Sequence, residues 1–258
     1  MQNTSTRAIV FIGIILFSGI SCNDSAVNTP LPEITTIPFI ASSSYKYTWK
    51  LVELDSLDDT ITFQIDTIRL RIISTNVNIG TDSNLILLEA QSVNRNIGVT
   101  KVWYKQYVDS LLEIAYENAG AVPTIFPKRQ QRTALRNPAF LFSITGMNAD
   151  STIYRPGGGR VVYHYPLTKN KKWISFTSPW LQTRQVMGNE LITTPAGSFV
   201  CAKIFTDNVV DFTDYAAVDG LVKRVFVPFK VEIVTESNPD GTGEMRTVFI
   251  EQELISKY

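Results

Sequence analysis

Apolar residues alternate with polar ones over most of this chain, and that period of two settles the class of fold. Ile61, Phe63 and Ile65 hold odd positions, whereas Ile68, Leu70 and Ile72 hold even ones. Phe229, Val231 and Ile233 alternate with Lys230 and Glu232, and Val248, Ile250 and Leu254 take the opposite parity to Glu251 and Glu253. Successive side chains of a strand point to opposite faces, so this is the signature of half-buried antiparallel strands. The parity change at Asp66-Thr67 predicts a bulge, or a tight turn between two strands, if the apolar residues are to keep facing one core. Turn chemistry separates the strands at Asn78-Ile79-Gly80, Pro156-Gly157-Gly158-Gly159, Pro195-Ala196-Gly197 and Asn238-Pro239-Asp240-Gly241, where a preset φ or a tolerated positive φ is supplied. A period of 3.6 is sustained nowhere for more than about ten residues. Helices should therefore be short and few, with Gln130–Arg136 and Val210–Ala217 the best candidates.

Some strands are apolar on both sides. Phe199, Cys201 and Phe205 oppose Val200, Ala202 and Ile204, while Val99, Trp103 and Tyr107 oppose Val102, Tyr104 and Val108. A flat sheet with one wet face has no use for this, whereas a curved sheet that wraps a helix, loops or a ligand does. The expected fold is all-β with few short helices: a single curved antiparallel sheet, as a half-barrel or open barrel.

The amino terminus reads differently. Ala8 to Phe17 (AIVFIGIILF) is a ten-residue apolar run preceded by Arg7. A membrane-spanning helix needs about 20 such residues, so the run reads as the apolar region of a signal peptide. Gly19-Ile20-Ser21-Cys22 follows, and it resembles the bacterial lipobox, although Gly19 stands where Leu, Val or Ile is usual. The resemblance implies cleavage before Cys22 and acylation of its sulfur; two or more acyl chains anchor a protein stably, one only marginally. The alternatives are an ordinary secretory signal with a chance cysteine and an uncleaved anchor, and all three place the rest of the chain outside the cytoplasm. The expected organisation is a signal peptide over residues 1–21, a lipidated tether rich in Pro, Ser and Thr over residues 22–44, and one antiparallel β domain over residues 45–258. The stretch Pro123–Pro138, with Lys128, Arg129, Arg132 and Arg136, reads as a long inserted connection within that domain.

With Cys22 lipidated only Cys201 remains, so no intrachain disulfide supports the fold and Cys201 reads as a small buried hydrophobe. The chain holds 24 Lys+Arg against 24 Asp+Glu. A balanced charge offers no clustered excess for phosphate, which argues against nucleic acid as a partner.

From Tyr154 onward several short motifs follow one another: Tyr154-Arg155-Pro156, Tyr165-Pro166-Leu167 with Lys172-Trp173, Thr194-Pro195-Ala196-Gly197-Ser198-Phe199, and Asp219-Gly220-Leu221-Val222-Lys223. This layout resembles a loosely defined group of uncharacterised bacterial lipoproteins and periplasmic proteins, over about 100 residues. The group commonly has a Trp or Tyr shortly before its last motif, where this chain has Tyr215-Ala216-Ala217-Val218. The resemblance implies a curved antiparallel sheet in the manner of half-barrel lipoprotein carriers, and it implies no agreed activity.

Catalytic chemistry finds little support. The single histidine, His164, excludes a His-cluster metal site, and no G-x-S-x-G turn accompanies it. Pro156-Gly157-Gly158-Gly159-Arg160 lacks the Lys-Ser/Thr and following helix of a phosphate loop. Asp207, Asp211, Asp214 and Asp219 do not match a calcium loop and read as an exposed connection. Aromatic rings offer the remaining option, since they present a broad apolar face with a polar handle: Trp103, Tyr104, Trp173 and Trp180 are the candidate ligand-binding residues. The expectation is a lipid-anchored extracytoplasmic binding or scaffolding module. It has no catalytic residues, metal or cofactor, it meets the membrane through its lipid, and its ligand is apolar or a glycan. The alternatives are a structural or adhesive cell-surface lipoprotein and, last, an extracytoplasmic hydrolase.

Overall fold

The computed structural model describes residues 31–94, 99–117, 152–155, 158–177, 181–207, 211–232 and 245–258. Every regular element among them is a strand: β1 (Ser44–Leu54), β2 (Thr60–Ile79), β3 (Asp82–Ser92), β4 (Thr100–Gln106), β5 (Ser110–Glu117), β6 (Thr152–Tyr154) and β7 (Arg160–His164). The second half supplies β8 (Lys172–Phe176), β9 (Gln182–Thr194), β10 (Gly197–Asp207), β11 (Phe212–Ala217), β12 (Gly220–Phe226), β13 (Phe229–Glu232) and β14 (Met245–Lys257). They form one antiparallel sheet in the order β6-β5-β4-β3-β2-β1-β14-β12-β11-β10-β9-β8, with β7 paired to β5 and β13 paired to β14. Neighbours in sequence are mostly neighbours in the sheet, because short turns can join antiparallel strands and nothing longer is needed.

The sheet curls until its margins almost meet, giving a nearly closed barrel. At the seam, side chains take over from the missing ladder: the Trp173 indole N–H and the Ser175 hydroxyl both donate to the Val161 carbonyl, at 3.3 and 2.6 Å, and Arg184 Nη1 donates to the Val162 carbonyl at 2.8 Å. Carbonyls on an edge strand need partners when they are buried, and β7 finds them here. Two of the turn signals sit at hairpins of the described residues. Gly80 (φ 55°) joins β2 to β3, and Gly197 (φ 131°) follows Pro195-Ala196 between β9 and β10.

The core lies inside the barrel. Tyr47, Trp49 and Leu51 of β1, Ile68, Leu70 and Ile72 of β2, and Ile250 and Leu254 of β14 all point inward and are buried. A smaller apolar cluster sits on the outside, where Cys201, Ala217 and Val222 pack with Ile192, Phe199 and Tyr215. Two-sided burial on β10 thus has two covers, and Cys201 is the small buried hydrophobe that its surroundings suggested.

Three expectations are corrected. β2 runs as one strand without a shift near Asp66: Asp66, Ile68, Leu70 and Ile72 share the inner face, and Ile61, Phe63 and Ile65 stay outside at 45%, 57% and 54% exposure. Val210–Ala217 does not make a helix, since Phe212–Ala217 is β11. The spacing of Phe212, Tyr215 and Ala216 imitates a helical face, but in the strand Tyr215 points outward and the other two inward. The expected tether ends early, because Ile34 and Ile37 are 2% exposed and the Leu167 N–H donates to the Ile34 carbonyl at 2.9 Å. Gln130–Arg136, the Pro123–Pro138 connection and Asn238-Pro239-Asp240-Gly241 lie outside the described residues.

Candidate functional site

Two regions qualify, one inside the barrel and one on its wall. Inside, charged side chains occupy inward positions of the strands. Asp214 on β11 stands directly opposite Arg224 on β12, and its carboxylate receives Arg224 Nε at 2.5 Å and Nη2 at 2.7 Å. Arg184 of β9 brings Nη1 to 3.6 Å from the same carboxylate. The Phe212 ring lies beneath both guanidiniums, with centroid distances of 5.6 Å to Arg184 and 4.5 Å to Arg224. Nearer the seam, Arg160 Nη2 donates to Glu113 at 2.5 Å, and Arg155 reaches the other oxygen of Glu113 at 3.2 Å. Burial pulls the Arg184 guanidinium down to about 10; Asp214 opposes the fall, whereas Arg160 and Arg224 add to it. For Arg224 burial acts the same way, but the Asp214 charge and hydrogen bonds prevail and raise it.

Gly159 makes room for the Arg160–Glu113 pair. A Cβ there would overlap the Glu113 carbonyl, whose carbon is 2.8 Å away. Gly159→Ala is therefore expected to cost about 1–3 kcal/mol, because backbone of β5 and β7 must separate. A lowered thermal midpoint would register this, and an unchanged one would refute the close approach.

The interior also holds a small cavity of about 50 Å³, lined among others by Ile37, Phe39, Tyr47, Leu88, Tyr104 and Tyr163. That is room for about one or two waters at about 30 Å³ each, far below the roughly 300–1,000 Å³ of a ligand pocket. Phe39 stacks on Tyr104 with ring centroids 6.2 Å apart, so the segment before β1 helps to fill the mouth. Burial pushes the Tyr104 phenol well up, with the Glu113 charge adding to it, and its hydroxyl has no hydrogen-bond partner among the described residues.

The proposed aromatic groove does not assemble. Trp103 and Tyr104 are consecutive on β4 and point to opposite faces, Trp103 half-buried outside and Tyr104 buried inside. Trp173 is buried at the seam, where its indole ties β8 to β7. Trp180 and Cys22 lie outside the described residues. Asp214, read from sequence as part of an exposed connection, is the centre of the buried ion cluster.

On the wall of the barrel the outer faces of β2, β1, β14 and β12 carry an apolar strip. In register, Phe63 lies beside Val52 and Val52 beside Phe249; Ile65 lies beside Lys50, Lys50 beside Glu251, and Glu251 beside Val225. β12 leaves β14 after that last pair, and β13 joins β14 only from Phe229–Val248. A groove of about 340 Å³ opens there, lined by Val52, Leu54, Val225, Phe226, Phe249 and Ile250, with Lys50 and Glu251 at its rim. Lys50 lies 5.5 Å from the centre of the Phe63 ring and makes no ion pair among the described residues.

These features define an all-β protein built as a nearly closed antiparallel barrel with a filled interior. No family model matches the sequence and no curated protein does. Two solved structures have a similar course. One, from Bacteroides fragilis, is provisionally described as an exported protein with a YmcC-like fold; it is 9% identical, with coverage of 87% of this chain and 99% of that one at a TM-score of 0.42. The other, from Parabacteroides distasonis, is provisionally described as a lipoprotein; it is 13% identical, with coverage of 88% and 100% at a TM-score of 0.37.

Proposed function

We propose that this chain is a lipid-anchored extracytoplasmic scaffolding module, which performs no covalent chemistry and makes its contacts with the outer wall of the barrel. The reading rests on one contrast: the concave side is lined by the protein's own buried side chains, with a cavity of only about 50 Å³ among the described residues there, while an apolar strip of several side chains stands open outside. A carrier of acyl lipids needs the opposite arrangement. Contiguous exposed apolar surface on a soluble domain is a mark of contact with another molecule. The leader Ala8–Phe17 and the Gly19-Ile20-Ser21-Cys22 motif support export and a lipid anchor, so the membrane is met through the acyl chains and other envelope proteins through the barrel wall.

The buried polar groups fit a structural role. Glu113 and Asp214 are each held by arginines, so their oxygens are engaged within the fold. Burial pushes the Cys201 thiol up to about 12, with Glu190 adding to the rise, and a thiol is a poor nucleophile where its thiolate is scarce.

Native mass spectrometry of the chain from Asn23 onward, with organic extraction of the purified protein, tests the proposal. The expected result is a whole-number multiple of the polypeptide mass, with no added ligand mass and nothing extracted. A stoichiometric acyl lipid or glycan would overturn the scaffolding reading in favour of a carrier.

A further inference from the structure

We propose that the apolar strip pairs with the same strip of a second copy of this chain, forming an isologous dimer through the outer faces of β1, β2, β12 and β14. The inference rests on the scaffolding reading and names its partner.

The register makes the strip complementary to itself. Strands are about 4.8 Å apart, and stacked sheets pack about 10 Å face to face. Consider a two-fold axis lying in the contact plane, parallel to the strands and midway between β1 and β14. It exchanges β1 with β14 and β2 with β12. Lys50 then meets Glu251 of the partner subunit, because the two are register neighbours on either side of that line. Val52 meets Phe249 of the partner subunit for the same reason. Phe63, one strand further out on β2, falls on the partner's β12 side, where that strand turns away from β14 and leaves the groove open. A ridge on one side of the axis and a hollow on the other is what a self-complementary surface requires.

Charge points the same way. Lys50 makes no ion pair within the described residues, and the two-fold sets it against the partner's Glu251, a carboxylate that within each subunit takes Lys223 on one oxygen at 3.1 Å. Opposite signs on either side of the axis attract twice in a symmetric pair, whereas a strip rimmed by one sign would repel its copy. The chain has no formal net charge to hold copies apart. Membrane anchoring of both copies would raise their effective concentration further.

Sedimentation equilibrium of the chain from Asn23 onward is the test, alongside Phe63→Glu, Lys50→Glu and, as a control on the far outer wall, Met187→Glu. The first two sites are exposed, and unchanged far-ultraviolet circular dichroism will show that the fold is kept. The dimer is expected in the parent and in Met187→Glu. Phe63→Glu is expected to weaken it at least about tenfold, as loss of a central aromatic anchor does, and Lys50→Glu to weaken it by setting two carboxylates together. A parent that is monomeric at all accessible concentrations overturns the pairing, and so does a dimer indifferent to Phe63→Glu. A monomer with nothing extracted would sink the pairing alone, while a co-extracted lipid would sink the scaffolding reading whatever the oligomeric state.

Discussion

Replacing Asp214 by alanine is expected to destabilise the protein by about 3–5 kcal/mol, which is the cost of removing one partner from a buried ion pair. The residue is 0% exposed, and it holds Arg224 through two oxygens and Arg184 through one. Without the carboxylate both guanidiniums keep their charge in a medium that solvates it poorly, and neither can reach water without opening β9, β11 and β12. At about 2–4 °C per kcal/mol for a domain of this size, the thermal midpoint should fall by roughly 6–20 °C. A second variant separates the charge from the packing. Asp214→Leu combined with Arg184→Met and Arg224→Met removes the whole triad at similar volume, and apolar replacement of buried ion clusters is often neutral or better. The triple variant should recover most of the lost stability. If Asp214→Ala proved neutral, or the triple variant no better than the single one, the cluster would not be what braces this wall of the barrel.

The parity of residues around that cluster shows how much of the fold was legible beforehand. Period-two alternation is a local property of the chain, so strands, an all-β class and a curved sheet follow from it directly. The proline and glycine turns follow as well, because φ is a property of the residue type. What misled was the assumption that inward means apolar. Asp66 shares its parity with Ile68, Leu70 and Ile72, and Asp214 shares its own with Phe212 and Ala216. In each case a charged residue occupies a core position, and only its partner across the sheet makes that tolerable. For Asp66 the partner is Ser92, whose hydroxyl donates at 3.0 and 2.9 Å from a strand 26 residues away. A sequence carries the parity but not the pairing, so the parity change in β2 predicts a face switch where the strand has none.

The same limit hid the surface strip. Ile61, Phe63 and Ile65 form an apolar set in the sequence, which predicts a bulge only if they must face the core. Their meaning depends on Val52, Phe249 and Val225, which register brings beside them from β1, β14 and β12. The aromatic groove failed for a simpler reason that was available in advance: neighbouring residues of one strand cannot line one face, so Trp103 and Tyr104 never belonged to the same site.

The second large effect is expected at alkaline pH, where the protein should unfold in a single steep transition approaching pH 12. Tyr47, Tyr104 and Tyr163 lie in the barrel interior, and burial raises each phenol well above its usual value near 10. The sign follows from proton counting. Above pH 10 the unfolded chain gives up these protons while the folded protein retains them, so the unfolded state is favoured by about 1.4 kcal/mol per pH unit for each phenol. Cys201 acts in the same direction from pH 9.0, its ordinary value, to about 12. Arg184 acts against them: its folded value is near 10 and its ordinary one 12.5, so the unfolded chain holds the extra proton and stability gains over that interval. Three phenols and a thiol outweigh one guanidinium, and Tyr45 and Tyr165, also raised by burial, add to them, which leaves a net loss of at least about 4 kcal/mol per pH unit against a typical total stability of about 5–15 kcal/mol. Tyrosinate absorbance and near-ultraviolet circular dichroism, followed together, should change at one midpoint. Smooth titration of these tyrosines around pH 10 with the fold intact would contradict their burial. Tyr104→Phe sharpens the test: its hydroxyl has no hydrogen-bond partner among the described residues, so the substitution should cost little at neutral pH and move the alkaline midpoint upward. Loss of stability at neutral pH would mean that the hydroxyl is bonded after all.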